Sequence, residues 1–274
     1  MSLADRRFET LSLEIDDRGV ARLFLARPER RNALNEAMIR ELTRAARALA
    51  EDASVRVAVL SGAGDAFCAG GDLAWFAESA QKDRGGRLAD SLLLADLFEA
   101  LNSLPKPLIA RVNGAAFGGG VGLIATCDAA VGLAGARLAL SEVRLGLAPA
   151  NIAPYVIAKI GAAAARATML SGAPFDAAEA LRIGLLQSVA ETETALDAAC
   201  DALVEAHLGA APQAAAATKA LIAEIAAALP KSGPAGLKDL TAAALAEIWD
   251  SEDAKAGLSA FLEKRPPPWR GDTR

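Results

Sequence analysis

Residues 108–133 read LIARVNGAAFGGGVGLIATCDAAVGL, and the fold is decided there. Leu108 to Val112 is a short apolar run with the length of a buried strand. The glycine-rich turn from Asn113 follows, Gly119 to Thr126 suits a helix, and Ala129 to Leu133 returns as a strand. Strand, turn, helix and strand in that order is the unit of an α/β protein with crossover connections. Working outward, the unit recurs. Asn35 can cap a helix running to Glu51, with Met38, Ile39, Leu42, Ala46 and Leu49 at helical spacing. Val57 to Leu60 reads as a buried strand and Ser91 to Leu101 as a helix. Leu11 to Ile15 and Val20 to Leu25 alternate around Asp16, Asp17 and Gly19, which predicts an opening hairpin.

From about Thr192 the pattern turns helical. Segments Ala195 to Leu208, Pro212 to Leu229, Gly236 to Trp249 and Ser251 to Leu262 are alanine-rich, but charged and Leu/Ile positions interrupt them at helical spacing, which predicts packed helices. The chain therefore divides into a core, 1–195, and a C-terminal helical region, 196–274. The tail from Lys264, with three consecutive prolines, cannot continue a helix and is expected to run over the surface.

Composition narrows the function. With 274 residues, 53% of them hydrophobic, the chain can bury a continuous core. With a net charge of −5 and no long Lys/Arg run, the electrostatic footprint of a dedicated nucleic-acid binder is missing, and no nucleic-acid partner is expected. No apolar run reaches the length of a membrane span, and the first ten residues are polar, unlike a secretory leader. Cys68, Cys127 and Cys200 form neither a CxxC pair nor a disulfide framework, so a reducing cytoplasm is the expected compartment. Cys68 and Cys127 sit beside glycine turns and read as small buried residues. His207, the single histidine, removes Ser-His-Asp and multi-histidine metal schemes, and no metal or separate cofactor is expected.

Two segments carry chemistry. Phe67-Cys68-Ala69-Gly70-Gly71-Asp72 and Asn113 to Gly122 each place glycines after a strand, where backbone N–H groups stay free and can favour negative charge. Together they could form an oxyanion hole. Each could also be only a tight connection, and the second superficially resembles a dinucleotide loop, although it lacks the spacing and the ribose-binding acid.

With these segments in hand, the chain resembles the crotonase (enoyl-CoA hydratase/isomerase) superfamily along nearly its whole length. The resemblance rests on Arg27-Pro28-Glu29-Arg30-Arg31-Asn32-Ala33-Leu34, the turn from Phe67 to Leu73, the glycines 118–120, Cys127-Asp128, and Leu140-Ser141-Glu142-Val143-Arg144-Leu145-Gly146-Leu147-Ala148-Pro149. It implies a spiral of repeated ββα units, a C-terminal helical region that makes homotrimers or pairs of trimers, and acyl-CoA substrates, coenzyme A entering as part of the substrate. It implies that Gly71 and Gly119 donate to the thioester oxygen and that Glu142 is the acid/base. It also implies that Arg30, Arg31, Ala33, Ala69, Asp72 and Leu73 line the CoA and acyl site, and that Phe261 and Lys264 reach CoA, commonly from a neighbouring subunit. Family hydratases carry a second glutamate where this chain has Gly122.

That departure leaves three readings open. The first is hydration of an enoyl-CoA; the motifs look most like hydratases of branched, carboxylated glutaconyl-CoA esters (methylglutaconyl-CoA or isohexenylglutaconyl-CoA). Arg144 and Asn151 are then candidate partners of the extra carboxylate. The second is a Δ3,Δ2 double-bond shift by Glu142 alone, and the third a non-catalytic CoA- or RNA-binding scaffold. Under the first, the volume vacated at Gly122 is expected to admit water or the substrate's carboxylate, with Trp75 and Tyr155 lining the acyl pocket.

Overall fold

The structure, a computed structural model, describes residues 7–270. The first six residues of the polar N-terminal stretch lie outside this range, as do the last four residues of the proline-bearing tail.

Ten strands and ten helices alternate among the described residues. The first half runs β1 (Leu11–Ile15), β2 (Val20–Leu25), α1 (Glu36–Glu51), β3 (Val57–Gly62), β4 (Ala66–Cys68), α2 (Leu73–Gln81), α3 (Arg84–Asn102), β5 (Leu108–Val112) and β6 (Ala115–Phe117). Then come α4 (Gly119–Thr126), β7 (Ala129–Leu133), β8 (Arg137–Ala139), α5 (Ala153–Ser171), β9 (Phe175–Asp176), α6 (Ala177–Arg182) and β10 (Ser188–Ala190). The chain closes with α7 (Glu193–Leu208), α8 (Pro212–Ser232), α9 (Lys238–Trp249) and α10 (Glu252–Leu262).

The strands form a six-stranded sheet, β1-β2-β3-β5-β7-β10, and a four-stranded sheet, β4-β6-β8-β9. The β1-β2 hairpin and the β8-β9 pair are antiparallel; the other pairs are parallel. Three successive turns of chain, β3-β4, β5-β6 and β7-β8, each give one strand to each sheet before a helix returns, which is the expected ββα spiral.

Alternation along the strands explains the layers. Ala58 and Leu60 face the main core with α1 and α3, whereas Val57, Val59, Ile109 and Val131 point the other way onto Leu196, Cys200 and Val204 of α7. Buried on both faces, β3 shows no polar alternation, as a central parallel strand should. The 195/196 division falls within α7, which packs on this sheet.

The cap predicted at Asn35 is present, its side chain accepting from the N–H of Met38 at 3.0 Å. Two differences from the sequence reading concern helix starts. Helix α2 was not anticipated, and α3 begins at Arg84 rather than Ser91. Asp72 and Asp83 cap these helices, accepting from Ala74 and Gly86, but Gly85 and Gly86 in the first turn obscured the helical signal. No helix among the described residues is long and apolar enough to cross a membrane.

Candidate active site

The loop bearing Arg30, Arg31 and Ala33 is fastened to the first glycine turn. Ala69 N–H donates to the Arg31 carbonyl (2.9 Å), Leu34 N–H to Gly70 (2.7 Å), and Asp72 N–H to Leu34 (2.9 Å). This is a parallel bridge of Leu34 with Gly71, a pairing that leaves the Gly71 N–H itself unused. Asn32, fully buried, anchors the loop by donating to the carbonyls of Ala63 and Ala66. Arg27 ties both pieces together, pairing with Asp72 at 2.9 Å and donating to the Ala33 carbonyl. Asp72 thus acts as a cap and ion-pair partner, and the guanidinium of Arg27 and the backbone donors outweigh its desolvation and hold its carboxyl below the usual range.

The second turn is built on Gly118, whose φ of +49° belongs to the left-handed region. It swings the chain into α4 so that Gly119 is the first helical residue, with an N–H that has no partner inside the helix. A Cβ at Gly120 would lie 2.3 Å from the Cys68 carbonyl oxygen, so the two turns can approach only because no side chain intervenes. Gly71 and Gly119 consequently line the same cavity, of about 280 Å³, together with Glu142, Trp75 and Asn151.

Glu142 opens a short 3-10 turn after β8. Its Oε1 lies 2.8 Å from where a Cβ of Gly118 would stand, so the carboxyl leans over the start of α4. The other oxygen, Oε2, is buried with no hydrogen-bond partner, and burial pushes the Glu142 pKa above the ordinary carboxylate value. Among the cavity residues the second carboxylate, Asp90, is held ionised by Lys82 and Ser79, with Lys82 Nζ at 2.7 Å. Glu142 alone is free to exchange a proton at the glycine end.

Gly122 overturns an expectation. A Cβ there would lie 2.3 Å from Ile152 Cγ2 and 3.0 Å from Phe98 Cε1. The volume of the absent glutamate is filled by these two side chains, so neither water nor a substrate carboxylate is lodged there.

The other predicted residues are distributed unevenly. Trp75 lines the cavity and stacks on Phe76 with centroids 5.9 Å apart; Tyr155 sits behind Phe98, also at 5.9 Å. Asn151 lines it and exchanges hydrogen bonds with Ser91 at 3.1 and 3.2 Å. Arg144 does not: it is exposed and donates to the Ser171 carbonyl. Ala33 is buried beneath the loop, whereas Arg30, Arg31, Leu73, Phe261 and Lys264 are exposed. Phe261 and Lys264, at the end of the C-terminal helices, are not among the residues lining this cavity. His207 lies on α7 and bonds the Leu203 carbonyl, away from the glycine turns. Burial pushes the Cys68 and Cys127 thiols up to about 12, which disqualifies them as nucleophiles.

Sequence reasoning missed a stripe of α3. Phe98, Leu94, Ser91 and Arg87 line the cavity at helical spacing, running from the glycine end outward. The spacing was legible, but the late start assigned to this helix left Arg87 outside it.

Known proteins resemble this chain in sequence and in fold. Residues 16–272 match the family described as enoyl-CoA hydratase/isomerase. An enoyl-CoA hydratase structure from Shewanella pealeana superposes with a TM-score of 0.91 at 37% identity, covering 97% of this chain and 98% of the other. Pseudomonas aeruginosa AtuE gives 0.89 at 38%, covering 96% and 100%. The 2,3-dehydroadipyl-CoA hydratase of Escherichia coli K12 is 35% identical over 91% of this chain and 94% of its own length.

Proposed function

The chain belongs to the enoyl-CoA hydratase/isomerase family, and from that premise we propose that it adds water across the α,β double bond of an enoyl-CoA, with Glu142 carrying the proton. The observation behind this is the half-buried Glu142 carboxyl, one oxygen unpartnered, in one cavity with Gly71 and Gly119. The two N–H groups polarise the thioester carbonyl and take up the charge of the enolate; losing one such donor typically costs about 10²-fold to 10³-fold in rate. Glu142 takes a proton from water as its oxygen bonds to the β-carbon, and returns a proton to the α-carbon as the enolate collapses. One water enters, one 3-hydroxyacyl-CoA leaves, and Glu142 ends as it began. The names of the relatives favour a lyase.

The finer proposal is that the acyl group carries a second carboxylate, of the branched glutaconyl type. Supporting it are the Glu142 to Ala150 motif, the Escherichia coli relative whose name specifies a dicarboxylic acyl group, and Arg87 at the outer cavity. Arg87 replaces Arg144 as the partner; it lies eleven residues from Phe98, about 16 Å along the helix, and so faces the far end of an acyl chain.

The single free carboxylate also favours a second reading, the Δ3,Δ2 shift, in which Glu142 moves a proton between two carbons. A panel of plain enoyl-CoA, glutaconyl-type and β,γ-unsaturated esters, following loss of the conjugated double bond separately from its migration, separates the two. Hydration fastest on the carboxylated esters supports the proposal; migration without any hydration replaces it with the isomerase.

The same reading takes the chain as a homotrimer or a pair of trimers in which Arg30 and Arg31, with Phe261 and Lys264 of a neighbouring copy, hold the CoA nucleotide. Its support is the exposed apolar surface of the C-terminal helices, including Ile222, Leu245 and Trp249.

A further inference from the structure

A hydratase with one free carboxylate still has to hold its water. In a two-glutamate site the second carboxylate can do so, but here Ile152 and Phe98 occupy that corner, and Asp90 is committed to Lys82 and Ser79. We propose that the neutral pair Ser91–Asn151 is the water-positioning device of this site, taking over the orienting part of the missing glutamate's role while Glu142 alone moves the proton. The inference rests on the hydratase reading above.

The geometry leads to it in three steps. Helix α3 and the segment 149–152 meet twice: Phe98 faces Ile152 across Gly122, and Ser91, two turns earlier on the same helix, bonds Asn151, the residue before Ile152. The apolar contact that fills the glutamate's place and the polar pair therefore come from the same two pieces of chain, and both line the cavity shared with Glu142. The pair is bonded to each other, yet an amide offers two N–H donors and a two-lone-pair oxygen, and a hydroxyl one donor and two lone pairs. Their two mutual contacts use the hydroxyl proton, one amide N–H and one lone pair on each oxygen, which leaves one amide N–H and a lone pair on each oxygen, enough to fix a water through two bonds. Neither group titrates near neutrality, so the pair orients water and cannot deprotonate it. The proton goes to Glu142 and from there to the α-carbon, the balance already written.

A positioning role separates water addition from enolate formation. Enolate formation needs Gly71, Gly119 and Glu142; water addition needs the pair as well. The test compares wild type with Asn151→Leu, Ser91→Ala, Asn151→Gln, Ser91→Thr and Glu142→Gln, each first checked for a cooperative unfolding transition and an unchanged far-ultraviolet circular dichroism spectrum. Two readouts are taken at saturating substrate: hydration of the best enoyl-CoA, and solvent-deuterium entry at the α-carbon of the matching saturated acyl-CoA. Asn151→Leu and Ser91→Ala are expected to lower kcat for hydration by about 10-fold to 10²-fold, the scale of a misplaced reactant, with deuterium entry changed less than about threefold. Asn151→Gln and Ser91→Thr recover part of the loss. If hydration and deuterium entry fall together, or hydration persists in both truncations, the pair does not position water. Should Asn151→Leu fail to fold, Ser91→Ala decides alone. Wild type that hydrates nothing, or Glu142→Gln that loses neither readout, breaks the hydratase reading itself.

Discussion

Helices α4 and α8 are both built largely from small residues, and they have opposite fates. In α4 every residue from Gly120 to Thr126 is buried, and the glycines let it approach Cys68 on one side and Ile152 on another. Along α8, with its alanines at 214–217, nothing is buried, and Ile222 and Leu229 stand exposed. Small side chains thus serve two ends here. In α4 they allow backbone to meet backbone inside one chain and shape the cavity; in α8 to α10 they leave larger apolar side chains such as Ile222, Leu245 and Trp249 exposed. One region is packed within the chain and the other stands open, the face that the proposed self-association would cover.

The sharpest way to test that contrast is to damage the completed region chemically without touching its packing. Glu142→Gln should lower turnover by at least about 10²-fold, the lower end for general acid/base catalysis, with association and CoA-ester binding unchanged; steady-state kinetics and sedimentation check the two halves. The pH dependence follows from the raised Glu142 pKa. Activity that needs the carboxylate should fall on the acid side at a pH above the ordinary carboxylate value. Stability runs the other way: because the folded chain favours protonated Glu142, its stabilising share is present below the unfolded pKa and is lost as pH rises through the folded one. Glu142→Gln should therefore melt higher than wild type at neutral pH, and the gain should vanish in acid; a gain independent of pH would contradict the burial assigned to this carboxyl.

Enlarging one small side chain in each helix tests packing. Gly122→Ala must displace Ile152, costing about 1–3 kcal/mol by overpacking, or a few degrees in Tm for each kcal/mol in a chain of this size. Gly122→Glu costs more, since its carboxylate enters between Ile152 and Phe98 with no partner. Ala217→Leu on α8 should stay within about 0.5 kcal/mol. Equal losses at the two sites, read by thermal unfolding, would erase the distinction.

Placing a charge on the unfinished face should weaken self-association while the fold of α4 is untouched. Trp249→Lys is expected to shift the sedimenting species toward monomer, with far-ultraviolet circular dichroism unchanged; a monodisperse monomeric wild type would remove the premise. Lys264→Ala is the mildest change. A lysine contacts phosphate as a point charge, so KM for CoA esters should rise by a few-fold, about 1 kcal/mol for an exposed ion pair, and esters lacking the nucleotide should be unaffected.

Much of the molecule was legible in advance because its signals are local. The hairpin, the Asn35 cap, β5, α4 and β7 follow from periodicity, a capping side chain and glycine turns within a few residues of each other. The resemblance carried by Gly71, Gly119 and Glu142 named three groups that the fold brings to one cavity. Where local signals conflicted, the reading slipped, as with Gly85 and Gly86 inside the first turn of α3.

What the sequence determined by itself is the opening hairpin, the central strands β3, β5 and β7, helices α1 and α4, the two glycine turns and the acid at Glu142, because each depends on backbone freedom or on spacing within one segment. Only the tertiary structure decided what Gly122 means. A glycine in the sequence looks like space, but Ile152 lies thirty residues further along the chain, and its methyl group already stands where the missing side chain would begin. The same meeting of α3 with the segment before α5 brought Ser91 to Asn151 and set Arg87 on the cavity wall, leaving Arg144 outside. Occupancy of a volume is a property of all the chains of atoms that converge on it, and side chains pack to fill such volumes.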